Sequence, residues 1–265
     1  MNASLVLYEH PLSPYAQKCK IALREKRVPF EARLPAGIGT GESGDGEFRQ
    51  ASPRLEVPAL VEGDLRVFDS TIILEYIEER WPDPPLLPGT PADRARVRMI
   101  EDVMDTHYEP INWGLGEIRF FGRAKGEPGE RIARRAAEQI AVWHRYLERQ
   151  LGDRPWFNGE RFGWGDLCVV PYLNGSCGFG LAPPAGTRLS RWLERVNARE
   201  TVRKTAEEAA ASIAGMSDVA RFVAEGLFKR EYRDHRLEWM IRTGGIEVVL
   251  DGLERGNIRF NTEFE

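Results

Sequence analysis

Five prolines fall within ten residues where Trp81 gives way to Pro82-Asp83-Pro84-Pro85 and then Pro88-Gly89-Thr90-Pro91. Such a stretch has few free backbone donors and fixed φ angles, so neither a helix nor a central strand continues through it. It divides the chain about one third of the way along. Residues 82–91 are therefore read as a linker between a domain at 1–81 and a second unit that starts at residue 92.

The two sides of the linker carry different periodicities. Before it, residues 5–8 are a short apolar run suited to a buried strand. Ser13-Pro14 punctuates the chain, and Pro14 fits the first turn of a helix, where no amide donor is needed. That helix carries Cys19, Ala22 and Leu23 on one face, with Lys18, Arg24 and Lys26 elsewhere. Residues 30–34 alternate as a second strand, and residues 36–46 form a glycine-rich loop. Residues 58–61 and 66–68 flank Glu62-Gly63-Asp64 as a hairpin. Asp69-Ser70 caps a helix that turns Ile73, Tyr76 and Ile77 inward. The order is β-α-β, a loop, then β-β-α.

After the linker the pattern is helical. Thr90 caps a helix with Pro91 in its first turn, and Pro110 interrupts that helix near its middle. Ile132, Ala136, Ile140, Trp143 and Leu147 share one face of a second helix. A third begins near Gly163, and Leu189, Trp192, Leu193 and Val196 mark a fourth. This helical domain is expected over 92–215. Residues 216–265 form an extension packed on it, because Phe222, Leu227, Phe228, Trp239, Met240, Ile241, Ile246 and Leu250 are too apolar for a solvated tail. Residues 246–250 and 258–260 fit strands around Asp251-Gly252 or a last helix and a tail. One placement for the extension is over the mouth of the interdomain cleft; the other is the outer face of the helical domain or a subunit interface.

Composition narrows the function classes. The 37 Lys plus Arg against 41 Asp plus Glu give −4, no bulk attraction for nucleic acid. No apolar run approaches the ~20 residues that span a bilayer, and no basic-then-apolar leader opens the chain. The three cysteines, Cys19, Cys168 and Cys177, are widely spaced, as expected of reduced thiols in a cytoplasmic protein. Gly39-Thr40-Gly41-Glu42-Ser43-Gly44 matches a dinucleotide fingerprint formally, but it does not lie between a strand and an apolar helix. His10, His107, His144 and His235 lack ligand spacing, and no metal site is expected.

Four stretches in order, "LYEHPLSPYAQKCKIALREK", "SPRLEVPAL", "FDSTIILEYIEERWP" and "NGERFGWGDLCVVPYL", resemble the glutathione transferase superfamily, serine-type bacterial members in particular. The resemblance covers residues 4–200. It implies an α/β thioredoxin-like N-terminal domain followed by an all-α helical domain, glutathione as co-substrate, and a homodimer. Ser13-Pro14-Tyr15 matches the catalytic Ser-Pro or Cys-Pro motif. A hydroxyl at that helix start stabilises the glutathione thiolate, where the exposed amides also favour an anion. The other readings are that Ser13 only caps the helix, or that Tyr8 contacts the thiolate. Ala16 stands where a dithiol enzyme has its second cysteine, which excludes disulfide exchange through a Cys-x-x-Cys pair.

The resemblance also implies a cis Val57-Pro58 bond, with the Val57 backbone pairing the cysteinyl part of glutathione. Asp69 and Ser70 suit the γ-glutamyl ammonium and carboxylate, and Tyr15 joins the same binding set. Glu56 departs from the basic or polar residue common before Val-Pro. Gly163-Trp164-Gly165-Asp166 replaces the usual Ser/Thr-x-x-Asp capping box, leaving Asp166 to reach back to the Gly163 amide without a return bond. His107, Tyr108 and Trp113, with Phe120 and Phe121, are expected to wall an apolar electrophile pocket. The implied activity is attack of glutathione on a small apolar electrophile, as in detoxification. Conjugation, ether cleavage and halide displacement remain open as outcomes. The other reading is a non-catalytic protein-binding module on the same fold.

Overall fold

The computed structural model describes residues 5–36, 46–123, 125–216, 218–227, 237, 240–241 and 245–255. The fingerprint-like run at 39–44, nearly all of the glycine-rich loop, residues 258–260, Phe228, His235 and Trp239 lie outside the described residues.

The N-terminal domain runs β1 (Leu5–Tyr8), α1 (Pro14–Glu25), β2 (Glu31–Arg33), α2 (Gly46–Ala51), β3 (Ala59–Glu62), β4 (Leu65–Phe68) and α3 (Ser70–Arg80). Its sheet has the order β2-β1-β3-β4. β2 is parallel to β1, and β3 is antiparallel to both β1 and β4. Glu62 pairs Leu65 across a two-residue turn, where Gly63 takes φ +59°. β1 is buried on both faces. Leu5 and Leu7 enter the main core beside α1 and α3, whereas Val6 and Tyr8 pack with Phe48 and Ala51 of α2. That two-sided burial is why β1 reads as a continuous apolar run rather than an alternation.

The helical domain comprises α4 (Pro91–Val103), α5 (Glu109–Arg119), α6 (Glu127–Leu151), α7 (Trp164–Gly178), α8 (Arg188–Asn197) and α9 (Glu200–Ala214). Thr90 Oγ1 accepts the Asp93 amide at 3.1 Å, the expected cap. α4 and α5 are joined through a π-helical turn at Met104–Tyr108, and Pro110 follows directly in the first turn of α5. A wider turn accommodates a residue with no amide donor, whose ring would clash with the carbonyl four residues back. The interruption expected at Pro110 is thus a change of winding within one continuous helical run, residues 91–119. α7 is buried along most of its length, and α1, α4, α5, α8 and α9 all pack against it.

Although the linker parts the sequence, it does not part the core. Leu7, Ile21, Leu23, Leu74 and Ile77 share one buried apolar cluster with Val97, Ile100, Leu167 and Leu173. Consequently α1 has no solvated face: every residue from Ala16 to Leu23 is buried, including Lys18. The expectation of a separate charged face on this helix fails there, because α7 and α9 cover it.

Among the described residues of the extension are the short helices α10 (Val219–Ala224) and α11 (Ile246–Glu254). The second resolves residues 246–250 as helix. α10 has no buried residue, and α11 has only Gly252. A Cβ built on Gly122, in the turn after α5, would stand 3.6 Å from Ala220 Cβ.

Candidate glutathione site

Ser13 sits between β1 and α1 as the N-cap, with φ −75° and ψ 114°. Its Oγ accepts the Ala16 amide at 3.3 Å. Capping uses a lone pair and leaves the hydroxyl proton to donate outward, so capping and thiolate stabilisation are compatible at this atom. Tyr8, by contrast, is fully buried against Phe48 and accepts from Arg33 Nη1 at 3.1 Å. Burial raises its phenol above the ordinary value. It belongs to the small core under α2.

Tyr8, the last residue of β1 before the loop to Ser13, pairs Ala59, the residue that follows Val57-Pro58. The Val57-Pro58 bond is cis. Asp69 caps α3 by accepting the amides of Thr71 at 3.0 Å and Ile72 at 3.4 Å. It does so at φ +76°, a left-handed conformation that an Asp tolerates better than most residues. Ser70 is buried in the first turn of α3, and its carbonyl takes the Cys19 thiol at 3.5 Å. Burial pushes that thiol's pKa up, which makes Cys19 the core residue expected. Beside Asp69 opens a concavity of about 470 Å³ lined by Arg54, Arg66, Val67, Phe68, Asp69 and Ile72. Arg54, which no sequence motif singled out, lies over the Phe68 ring at 5.1 Å, 3.9 Å from Asp69 Oδ2.

A buried charge cluster beneath these loops was not legible in the sequence. Lys18 Nζ lies 2.6 Å from both Glu101 Oε1 and Asp105 Oδ2. Glu101 also accepts from Thr71 Oγ1 at 2.9 Å and Trp164 Nε1 at 2.5 Å, and Asp105 accepts from the Tyr172 hydroxyl. Burial alone would lower the Lys18 pKa, but the two carboxylates outweigh it and hold it well above the ordinary value. Burial raises that of Asp105 despite Lys18. Thr71 follows directly on Asp69-Ser70, and the Tyr15 hydroxyl donates to the Asp105 carbonyl at 2.8 Å. The starts of α1 and α3 are therefore fixed to the helical domain through one ionic knot. Tyr15, expected in the glutathione set, carries one of these ties.

Among the described residues, the expected electrophile-wall side chains make the following contacts. Tyr108 is fully buried, 2.7 Å from Ser176 Oγ and 3.4 Å from His144 Nε2. This corrects its assignment: Tyr108 lies on the α5 approach that faces α7. His107 turns to α6, with its ring 5.8 Å from Trp143. Phe120 meets Phe179 at 5.7 Å, and Phe121 is buried. Trp113 is half-buried.

Asp166 is structural, as expected. It accepts the amides of Phe157 at 2.8 Å, Asn158 at 3.3 Å and Gly163 at 3.1 Å, and Trp192 Nε1 at 2.8 Å. Burial lifts its carboxyl to about 6, against the pull of those four donors.

A four-stranded sheet of this topology, a Ser-capped α1, a cis Val-Pro and an Asp-Ser cap, joined to a helical domain, define the glutathione-transferase architecture. Comparison with known proteins agrees. The family model for "Glutathione S-transferase, N-terminal domain" matches residues 7–85, and that for "Glutathione S-transferase, C-terminal domain" matches residues 106–200. Glutathione S-transferase U28 of Arabidopsis thaliana is 30% identical over 78% of this chain and 90% of its own. A glutathione S-transferase structure from Rhodospirillum rubrum is 30% identical with TM-score 0.67, covering 76% of this chain and 91% of that one. Human glutathione-S-transferase T1-1, at 22% identity, shares the fold with TM-score 0.70 over 84% of this chain and 98% of its own. The chain belongs to the glutathione S-transferase family, and as a member it is a glutathione transferase with glutathione as co-substrate.

Proposed function

We propose that the protein activates glutathione for attack on a small apolar electrophile, with Ser13 as the group that stabilises the thiolate. The observation that carries this reading is the Ser13 Oγ: it accepts from Ala16 and keeps its own proton to donate at the start of a helix, in a domain whose Val57-Pro58 bond is cis. A hydroxyl donating to sulfur favours the anion over the thiol, whose free pKa is near ~8.5. The thiol proton goes to water. The sulfur then forms a C–S bond, and the electrophile either keeps the added electron pair or expels a halide or aryloxide with it. The Val57 backbone pairs the cysteinyl amide. Asp69 takes the γ-glutamyl ammonium, and the buried Ser70, at the start of α3, takes its carboxylate. Arg54, beside Asp69, adds a cation at that end of the peptide. Trp113 remains the aromatic candidate for the electrophile wall. The active form is a two-fold homodimer in the cytoplasm, with the extension packed on the helical domain.

The test is Ser13→Ala. Glutathione-dependent turnover is expected to fall by about 10–1000-fold with little change in glutathione affinity, since the lost interaction strengthens as the thiolate reacts. Ultraviolet difference spectra should show less bound thiolate at neutral pH. Wild-type turnover in this variant would remove Ser13 from the mechanism.

A further inference from the structure

Ser13 can work only if the loop before it is still, and the structure shows what holds that loop. The Glu9 amide donates to the Arg33 carbonyl at 2.9 Å, and the Ser13 amide to the His10 carbonyl at 2.8 Å. The Leu12 amide donates to His10 Nδ1 at 3.2 Å, and Gln17 Nε2 to the Pro11 carbonyl at 2.7 Å. Every residue from 9 to 13 is tied by at least one hydrogen bond.

The tie at Glu9 is ionic and buried. Glu9 is 5% exposed, and its Oε1 lies 2.8 Å from Lys20 Nζ, itself 2% exposed. Glu9 Oε2 is buried without a hydrogen-bond partner. The same Lys20 ammonium meets Glu208 Oε2 of α9 at 2.6 Å. Glu208 is held in turn by Arg24, whose other nitrogen donates to Thr205 at 2.5 Å. Burial would raise the Glu208 pKa, but Lys20 and Arg24 together outweigh it and keep the carboxyl below its ordinary value. A buried carboxylate with one unpaired oxygen is tolerated only while its cation stays in place.

We infer that Lys20 is a positioning residue for Ser13: it compensates buried Glu9 and so fixes the loop that presents the hydroxyl, while Glu208 of α9 holds Lys20 in register. Neither Lys20 nor Glu208 needs to touch glutathione. The helical domain thus sets the geometry of the thiolate site from behind α1. The inference rests on the reading of Ser13 as the thiolate's donor.

The experiment compares wild type, Lys20→Met, Lys20→Arg and the double variant Glu9→Gln/Lys20→Met in the full chain. Lys20→Met should lower kcat by about tenfold or more, the scale of a small misplacement of a reacting group, with the KM for glutathione nearly unchanged. The bound thiol should titrate at higher pH, and amides of residues 9–17 should exchange faster by mass spectrometry. Lys20→Arg should restore all three readouts. The double variant should recover most of the loss, because no charge is then left stranded. If Lys20→Met lowers thermal stability but leaves the thiol titration and the exchange of residues 9–17 at wild-type values, the inference is wrong. The same holds if the double variant is no better than the single one. If wild type itself shows no bound thiolate, the Ser13 reading fails, and the exchange arm still decides whether Lys20 holds the loop.

Discussion

His144 of α6 is 7% exposed, and its Nε2 lies 3.4 Å from the Tyr108 hydroxyl inside the helical domain. Burial lowers its pKa to about 4. An unfolded histidine takes up its proton near ~6.5, so below that pH the unfolded chain binds a proton that the folded chain refuses. Stability contributed by the neutral ring is fully present above about 6.5 and is lost as pH falls toward 4, by up to about 3 kcal/mol. Asp166, raised to about 6, works in the opposite direction, favouring the fold as it protonates below that pH. The two effects overlap, so a difference measurement is needed. Denaturant melts of wild type and His144→Gln at pH 7.5 and 5 should show a smaller loss on acidification in the variant; equal losses would mean that the ring is solvated or charged in the fold. At this scale the motif residues were legible. Ser13 and Asp69-Ser70 announce themselves as helix caps through near neighbours in sequence, and the cis Val57-Pro58 bond through the family resemblance. Lys18, Glu101 and Asp105 could not, because nothing local pairs a lysine with carboxylates more than eighty positions away.

Gly163 illustrates how packing between elements overrides a capping preference. A serine there would complete the Ser-x-x-Asp box with Asp166 and, by capping alone, would stabilise α7 by about 1 kcal/mol over a residue that cannot cap. Yet a Cβ at Gly163 would stand 2.2 Å from the Leu86 carbonyl and 2.3 Å from Asn158 Nδ2. The linker backbone passes so close that the Trp164 amide donates to Leu86 at 2.8 Å. Gly163→Ser should therefore destabilise the protein by about 1–3 kcal/mol through overpacking, read as a lower denaturant midpoint with an unchanged slope. A stabilised variant would show that the linker can move aside. The same dependence on neighbours explains which elements the sequence reveals. α6 and α8 place large apolar residues at helical spacing. α9 buries chiefly Val202 and Thr205, and the six-residue α2 only Phe48 and Ala51, too few to mark a period. The charged residues of α1 read as a solvated face because its cover, α7 and α9, lies far along the chain.

At the scale of the whole molecule, one core spans both domains, whereas the described residues of the extension hardly enter it. The apolar content of residues 216–265 argued that they must pack. Among the described residues, however, Leu227 is 57% exposed and Val248 64%, and α10 buries no residue. The contact of Ala220 with Gly122 lies beyond the end of α5, roughly 20 Å along the helix from Asp105 at a rise of ~1.5 Å per residue. That places α10 by the far end of the helical domain, away from the domain junction where Tyr15 meets Asp105. A chain ending at Gly215 retains α9, and with it Thr205, Glu208 and their ties to α1. The truncated chain should melt in a single transition within a few degrees of the full chain, bind glutathione equally well and keep its ranking of electrophiles. It should also self-associate less in sedimentation, since exposed Leu227, Ile241, Val248, Leu250 and Leu253 are removed. A large fall in melting temperature would place the extension in the core, and a changed electrophile ranking would place it over the cleft. Unchanged values of both would keep the extension out of the core and off the cleft.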